Sequence, residues 1–452
     1  MKCRALYALV LAVTLQFYSN HVTAQFNITP STALESYINK IDTTFKWEIK
    51  DSYKQGDLTV YNVLLFSQNW KAFVWTHQLS IVVPNEVKHD GALLFITGGS
   101  VKDGMPNWNS KKDNDLLLAM SHISSSNQAI VALLRQTPNQ PLYNNLTEDA
   151  LISKTLHNYK EDKDYEWPLL FPMVKSAISA MDAIQLFAKE KLQIELNEFI
   201  ISGASKRGWT TWLTGAMDKR VKAIAPMVID ILNMPVSLQY QIETWGDYSI
   251  EIQDYVNLGI PQNSKTPEGK EITTMIDPYS YRKNLTMPKM IFMGTNDPYW
   301  VVDNVKNYYD SIPGENILHY VPNAGHDLNK GEQAMQALSS FVGFTLNDVD
   351  YPHSDWSIVP SKQKVEIAIN STADRLLDVI VWTATSDDKD FRNDKWTSKS
   401  LGIHNKAKVK IEQNYPKSGY NAFYIDLKYK NLQGGTYTQS TRVFVLNNKG
   451  VL

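Results

Sequence analysis

Glu198-Phe199-Ile200-Ile201-Ser202-Gly203-Ala204-Ser205-Lys206-Arg207-Gly208-Trp209 is the stretch that decides how the chain is read. Its first five residues are a short apolar run of strand type. Gly203 and Ala204 are small enough for a sharp turn, and the residues through Trp209 and Trp212 fit a helix. Strand, tight turn and helix in succession leave the Ser205 hydroxyl exposed above the strand end, at a helix N-terminus. The positive end of that helix favours a developing negative charge. The usual spacing is Gly-x-Ser-x-Gly. Here Arg207 takes the second glycine's place and Gly208 comes one later. Alone, the hexapeptide is equally compatible with an ordinary strand-to-helix turn.

Outward from it, apolar runs alternate with amphipathic stretches. Residues 58–66, 79–83, 92–97, 129–134, 221–229, 289–293 and 317–321 read as strands. Several are nearly continuous apolar runs, as suits strands buried on both faces of a parallel sheet. Residues 115–123 (with Asp113 as the expected cap), 173–191 and 331–344 read as helices. Such alternation predicts a parallel α/β sheet over residues 25–351. Residues 137–170 and 231–287 interrupt the rhythm after predicted strands, where open α/β sheets bind ligands, and are read as insertions shaping a pocket. From residue 352 to 452 the pattern changes to short β-branched or aromatic runs at 365–369, 377–382, 408–411, 422–427 and 441–446. That predicts a C-terminal antiparallel β-sandwich, with a boundary near Tyr351-Pro352.

The order of residues after Ser205 sharpens its reading. In the α/β-hydrolase fold the nucleophile precedes an acid, and the acid precedes a histidine. The strand at 289–293 leads into Gly294-Thr295-Asn296-Asp297, and the next leads into Asn323-Ala324-Gly325-His326. Among nine histidines only His326 has this setting. Ser205 is a weak nucleophile until a base takes its proton, and a histidine near neutrality both accepts and returns it. Asp297 would fix the tautomer, with Asp303 and Asp230 as rival acids. The Lys206 N–H is the expected first oxyanion donor, with a second from Gly98, Gly99 or Ser100. Arg207, Trp209 and Trp300 are the expected substrate contacts. Trp245, Tyr299, Trp108, Trp167 and Arg135 are further candidates.

Composition excludes other classes. The chain has 452 residues, 45 Lys+Arg against 47 Asp+Glu, and one cysteine, Cys3. That charge balance does not suit nucleic-acid binding, and one thiol excludes a disulfide framework or a multi-thiolate metal site. No HExxH, phosphate-binding glycine loop or dinucleotide fingerprint occurs, so no metal or cofactor is implied. Cys3 lies in an N-terminal run with Lys2, Arg4, an apolar segment from Ala5 to Leu15 and a small-residue site ending at Ala24. This is the form of a secretory signal peptide covering residues 1–24. No further stretch is long enough to span a membrane. The expectation is a secreted chain, with sequons at Asn145, Asn284 and Asn370 as glycan sites and Asn27, before Pro30, as the weakest.

The chain resembles the PhoPQ-activated pathogenicity-related protein family, a branch of the α/β-hydrolase superfamily, over roughly residues 35–450. The resemblance rests on Thr44-Phe45-Lys46-Trp47, Gln68-Asn69-Trp70, His77-Gln78-Leu79-Ser80-Ile81-Val82-Val83-Pro84, Thr97-Gly98-Gly99 and Asn139-Gln140-Pro141-Leu142. Gly203-Ala204-Ser205-Lys206-Arg207-Gly208-Trp209 and the two loops carrying Asp297 and His326 complete it. It implies a triad of Ser205, Asp297 and His326 acting on a small-molecule or peptide ester or amide. Members include secreted autocrine proliferation repressors, which implies the alternative of an extracellular signal with a cell-surface receptor.

Overall fold

The computed structural model describes residues 27–109 and 114–452. The expected signal peptide, Cys3 and Asp113 lie outside the described residues. The helix expected from residue 115 is capped by Asn114, whose Oδ1 accepts the Leu117 N–H at 3.1 Å.

Nine strands of the main sheet run in chain order: β1 (Lys46–Gln55), β2 (Leu58–Trp70), β3 (Phe73–Pro84), β4 (Gly91–Ile96), β5 (Ile130–Leu134), β6 (Glu198–Ala204), β7 (Val221–Met227), β8 (Lys289–Gly294) and β9 (Asn316–Val321). Their spatial order is β1-β2-β3-β5-β4-β6-β7-β8-β9. The first three form an antiparallel meander, and β3 pairs antiparallel with β5. From β5 to β9 every pairing is parallel. This is the α/β-hydrolase arrangement, with β6 in the middle of the sheet.

Helices cover both faces. Helix α1 (Asp115–Asn127) links β4 to β5, and α2 (Glu148–Asp162) and α3 (Leu170–Phe187) lie between β5 and β6. Helix α4 (Lys206–Met217) follows β6, α5 (Met234–Trp245) and α6 (Pro267–Ile276) lie between β7 and β8, and α7 (Glu332–Leu346) follows β9. Alternate residues of one strand serve opposite cores. On β5, Ile130, Ala132 and Leu134 join the core under α3 and α4, whereas Val131 and Leu133 join the one under α1 and α7. Burial on both faces explains the continuous apolar run, each such side chain contributing about 1.5–3 kcal/mol. Strand β1 escaped the sequence reading because it is a charged edge, KWEIKDSYKQ, with no fully buried position.

Beyond residue 351 the longer strands are β10 (Ser354–Pro360), β11 (Lys364–Ser371), β12 (Leu376–Ser386), β13 (Thr397–Ser400), β14 (Lys408–Asn414), β15 (Tyr420–Lys430), β16 (Thr436–Ser440) and β17 (Phe444–Asn447). Strands β10, β11 and β14 form a separate antiparallel sheet. The others continue the central sheet in the order β9-β16-β15-β12-β13, and β17 pairs with β15. The sequence expects one strand at 441–446; the structure has β16 before it and β17 at its end. Val365, Ile367, Val379 and Ile425 of the two sheets share a core with Phe341 and Phe344 of α7. Tyr351, at the expected boundary, is buried, with its ring packed on Phe341, Phe344 and Tyr437. The C-terminal strands therefore stand against the α/β core without a linker.

Candidate active site

Ser205 stands between β6 and α4 with φ 58° and ψ −124°. This backbone region is costly for a residue with a Cβ, by about 1–3 kcal/mol, and is held by its surroundings. The Ser205 N–H donates to the Met227 carbonyl at 2.9 Å, and its own carbonyl accepts the Trp209 N–H at 2.9 Å. The displaced glycine also has a local cause. A Cβ on Gly208 would sit 2.7 Å from the Met227 carbonyl oxygen, so α4 packs this closely on β7 only with glycine there. Lys206 is the first residue of α4, where a helical N–H has no partner within the helix.

Asp297 follows β8 and is 5% exposed. Its Oδ1 accepts the Tyr299 N–H at 2.9 Å, which fixes the carboxylate plane. His326 follows β9, and its Nδ1 lies 2.8 Å from Asp297 Oδ2 and 3.1 Å from Oδ1. A carboxylate accepts only, so Nδ1 is the donor in this pair. The His326 Nε2 is buried and has no hydrogen-bond partner. The Tyr299 ring stacks on the imidazole with centroids 4.1 Å apart.

The rival acids are engaged elsewhere. Asp303 accepts from the Tyr240 hydroxyl at 2.9 Å and from Lys306 Nζ at 2.7 Å. Asp230 is held by the Asn304 amide, and burial pushes its carboxyl up to about 7.

Two asparagines given no role in the sequence expectations hold the loops that carry Asp297 and His326. Asn296 Nδ2 donates to the carbonyls of Phe391, Arg392 and Asp394 at 3.1, 3.1 and 2.8 Å. Asn323 donates to the Trp396 carbonyl at 3.0 Å and accepts the Trp396 N–H at 2.8 Å. Thr295 ties the two loops, its Oγ1 accepting the Asn323 N–H and donating to Asn296 Oδ1, both at 2.8 Å. The C-terminal segment at 391–396 thus grips both loops.

A cleft opens beside Ser205. Trp209, Tyr299 and Trp300 line it, as do Asp149 and Leu156 from α2 and a set of aliphatic residues from 229–276. The two segments read as insertions supply most of this wall. Arg207 has partners within the chain. It is held bidentately by Glu148 at 2.7 and 2.8 Å and donates to the Thr137 carbonyl at 2.6 Å. Its side chain is 11% exposed. Burial opposes the Glu148 charge, but the hydrogen bonds and charge of Arg207 prevail and hold that carboxyl at about 2. Next to it, Lys206 Nζ pairs with Asp149 at 2.7 Å. These two ion pairs fasten the start of α2 to the nucleophile's helix. A Cβ on Gly98 would meet the Arg207 guanidinium at 2.5 Å, so the turn after β4 lies against the same helix. A Cβ on Gly99 would meet Gln136 instead.

The remaining candidates sit in other surroundings. Trp245 lies under the Arg392 guanidinium, Trp167 packs with Trp70 and Tyr143, and Arg135 donates to Asn114 at 3.3 Å. Asn145, Asn284 and Asn370 are all exposed. The Asn284 and Asn370 amides donate to the Ala216 carbonyl and to Asp355. Among the described residues no cluster of His, Cys, Asp and Glu is fit to hold a metal, and no helix is long and apolar enough to cross a membrane.

Among solved structures, the chain is similar to acetyl xylan esterase 1 from Thermoanaerobacterium sp., with 17% identity and a TM-score of 0.47 over 69% of this chain and 94% of that one. It is also similar to an S-formylglutathione hydrolase from Agrobacterium tumefaciens, with 10% identity and a TM-score of 0.44 over 66% of this chain and 99% of that one. Sequence likeness is closer to autocrine proliferation repressor protein A of Dictyostelium discoideum, 30% identical over 445 residues, or 90% of this chain and 88% of that protein. The stretch that builds both the cleft and the loops around it, residues 34–392, matches a single family, and the chain belongs to it: the PhoPQ-activated pathogenicity-related proteins.

Proposed function

We propose that the protein is a secreted serine hydrolase that cleaves an ester or amide through an acyl-enzyme. The observation that carries this is the 2.8 Å Asp297–His326 pair, with a buried, unpartnered Nε2 and a Tyr299 ring that joins the imidazole to the cleft holding Ser205. In this reading Nε2 takes the Ser205 proton as Oγ bonds to the substrate carbonyl carbon. The Lys206 N–H, with Gly98 or Gly99, holds the oxyanion. His326 then gives the proton to the leaving oxygen or nitrogen as that bond breaks. Water, deprotonated by His326, releases the acyl group and restores Ser205. Secretion rests on the sequence of residues 1–24, and glycans are proposed at Asn145, Asn284 and Asn370. The C-terminal sheets are read as a sandwich module.

A fluorophosphonate reporter tests the proposal. It is expected to label Ser205 in the folded protein and not to label Ser205→Ala. Absence of labelling in folded wild type refutes the proposal.

A second reading is favoured by the Dictyostelium relative's name and by coverage of nearly its whole length. The protein would then be an extracellular growth repressor carried on a hydrolase scaffold. Ser205→Ala protein retaining full growth repression in a conditioned-medium assay supports that reading; loss of repression with the fold intact supports catalysis.

A further inference from the structure

The walls of the cleft carry information about the substrate that the triad does not. Trp209 donates its indole N–H to the Ile276 carbonyl at 2.6 Å, and Trp300 donates to the Val228 carbonyl at 3.2 Å. Both rings therefore offer the cleft hydrocarbon only. The Tyr255 hydroxyl is given to Asp149 Oδ1 at 2.9 Å, and the other Asp149 oxygen is taken by Lys206 Nζ at 2.7 Å. Asp149 and Lys206 are the cleft's two charged groups, and they neutralise each other. Leu156, Ile229, Ile231, Leu238, Ile260 and Ile276 fill in the rest. Apart from the hydroxyls of Ser205 and Tyr299, each polar side-chain group on this wall already has its partner. A sugar or a polar peptide side chain entering here would lose water and find no replacement, at a cost of about 1–3 kcal/mol per group. A hydrocarbon chain would lose nothing and bury its surface.

We infer that the scissile bond recognised at Ser205 is flanked by an uncharged apolar group, on the acyl or the alcohol side of an ester. This rests on the hydrolase reading above for its chemistry, but the cleft's preference for hydrocarbon is a binding property and is measurable without turnover.

Three arms test it. In the first, 4-nitrophenyl acetate, butanoate, hexanoate and octanoate are compared. If the acyl group occupies the cleft, kcat/KM rises about fourfold per methylene before levelling off. In the second, ethyl, butyl and hexyl acetates are compared; a rise there assigns the cleft to the alcohol. Leu238→Trp, at a half-buried position on α5, is expected to cut the long-to-short preference at least tenfold in whichever series shows it. In the third, Ser205→Ala is titrated with acetamide, butanamide and hexanamide, read by tryptophan fluorescence. Affinity is expected to rise with chain length. Flat or acetyl-favouring series with Ser205 still labelled by the fluorophosphonate overturn the inference and spare the hydrolase reading. No labelling or turnover, with amide affinity still rising with chain length, refutes the hydrolase reading and supports only the cleft's preference for hydrocarbon. No turnover and no chain-length trend in binding overturns both.

Discussion

Replacing Glu148 by Gln removes one charge from the pair that fastens α2 to the nucleophile's helix and changes the side chain's size very little. The magnitude comes from the carboxyl's ionisation. It sits at about 2 in the folded chain against an ordinary 4.5. That difference corresponds to about 3.4 kcal/mol before screening. The Glu148 side chain is 37% exposed. Solvent screening therefore reduces the contribution to roughly half, about 1.7 kcal/mol. The sign is set by proton binding: where the unfolded chain binds more protons, stability rises with pH. A depressed carboxyl therefore contributes its full stability above pH 4.5 and loses it as pH falls toward 2. Urea unfolding of wild type and Glu148→Gln at pH 7 is expected to show a gap of about 1.7 kcal/mol, shrinking to roughly a third of that at pH 3.5. Ester turnover should fall as well, because the Asp149–Lys206 contact beside the cleft depends on the same junction. A gap equal at both pH values, or below about 0.5 kcal/mol at pH 7, would refute the assignment of the Arg207–Glu148 pair as a fastening contact.

Asp297→Asn is expected to keep the fold but reduce kcat on the order of 10³–10⁴, because the amide favours the wrong imidazole tautomer; steady-state hydrolysis and circular dichroism check both halves. Ser205→Gly should abolish turnover while raising stability by about 1 kcal/mol, since glycine accepts φ 58° without strain; calorimetry reads the rise in melting temperature. Lys289 is buried at the start of β8 and donates to the carbonyls of Leu285, Met287 and Pro313 at 2.9, 2.6 and 2.8 Å. Lys289→Met leaves those carbonyls without a donor and should destabilise by about 2–4 kcal/mol in urea unfolding.

The elbow was legible because its cause is local: strand, small residues and helix lie within a dozen positions. The pairing of Asp297 with His326 was legible from chain order, as each follows an apolar strand into a glycine-containing loop. The cleft was not. Asp149 and Leu156 reach Ser205 only because α2 is fastened across the sheet by Glu148 and Arg207, and no periodicity reports a contact between residues 59 positions apart. For the same reason the partner of Arg207 was not legible: proximity to the nucleophile in sequence says nothing about which carboxylate will claim the guanidinium. Edge strand β1 was hidden by its charges. Strand β16 was hidden because Thr436–Ser440 is short and polar, so its place beside β9 is decided by pairing rather than by an apolar face.

The grip of Asn296 and Asn323 on segment 391–396 has a consequence for how this protein can change over evolutionary time and how it can be cut. Each hydrogen bond reaches a main-chain carbonyl or N–H, never a side chain. Hydrogen bonding therefore leaves side chains in the segment free to drift while the grip persists, whereas either asparagine is difficult to exchange. A chain ending at residue 351 would keep the serine's elbow and lose this brace. The segment that looks most like a detachable appendage is tied by main-chain hydrogen bonds to the loops that carry Asp297 and His326.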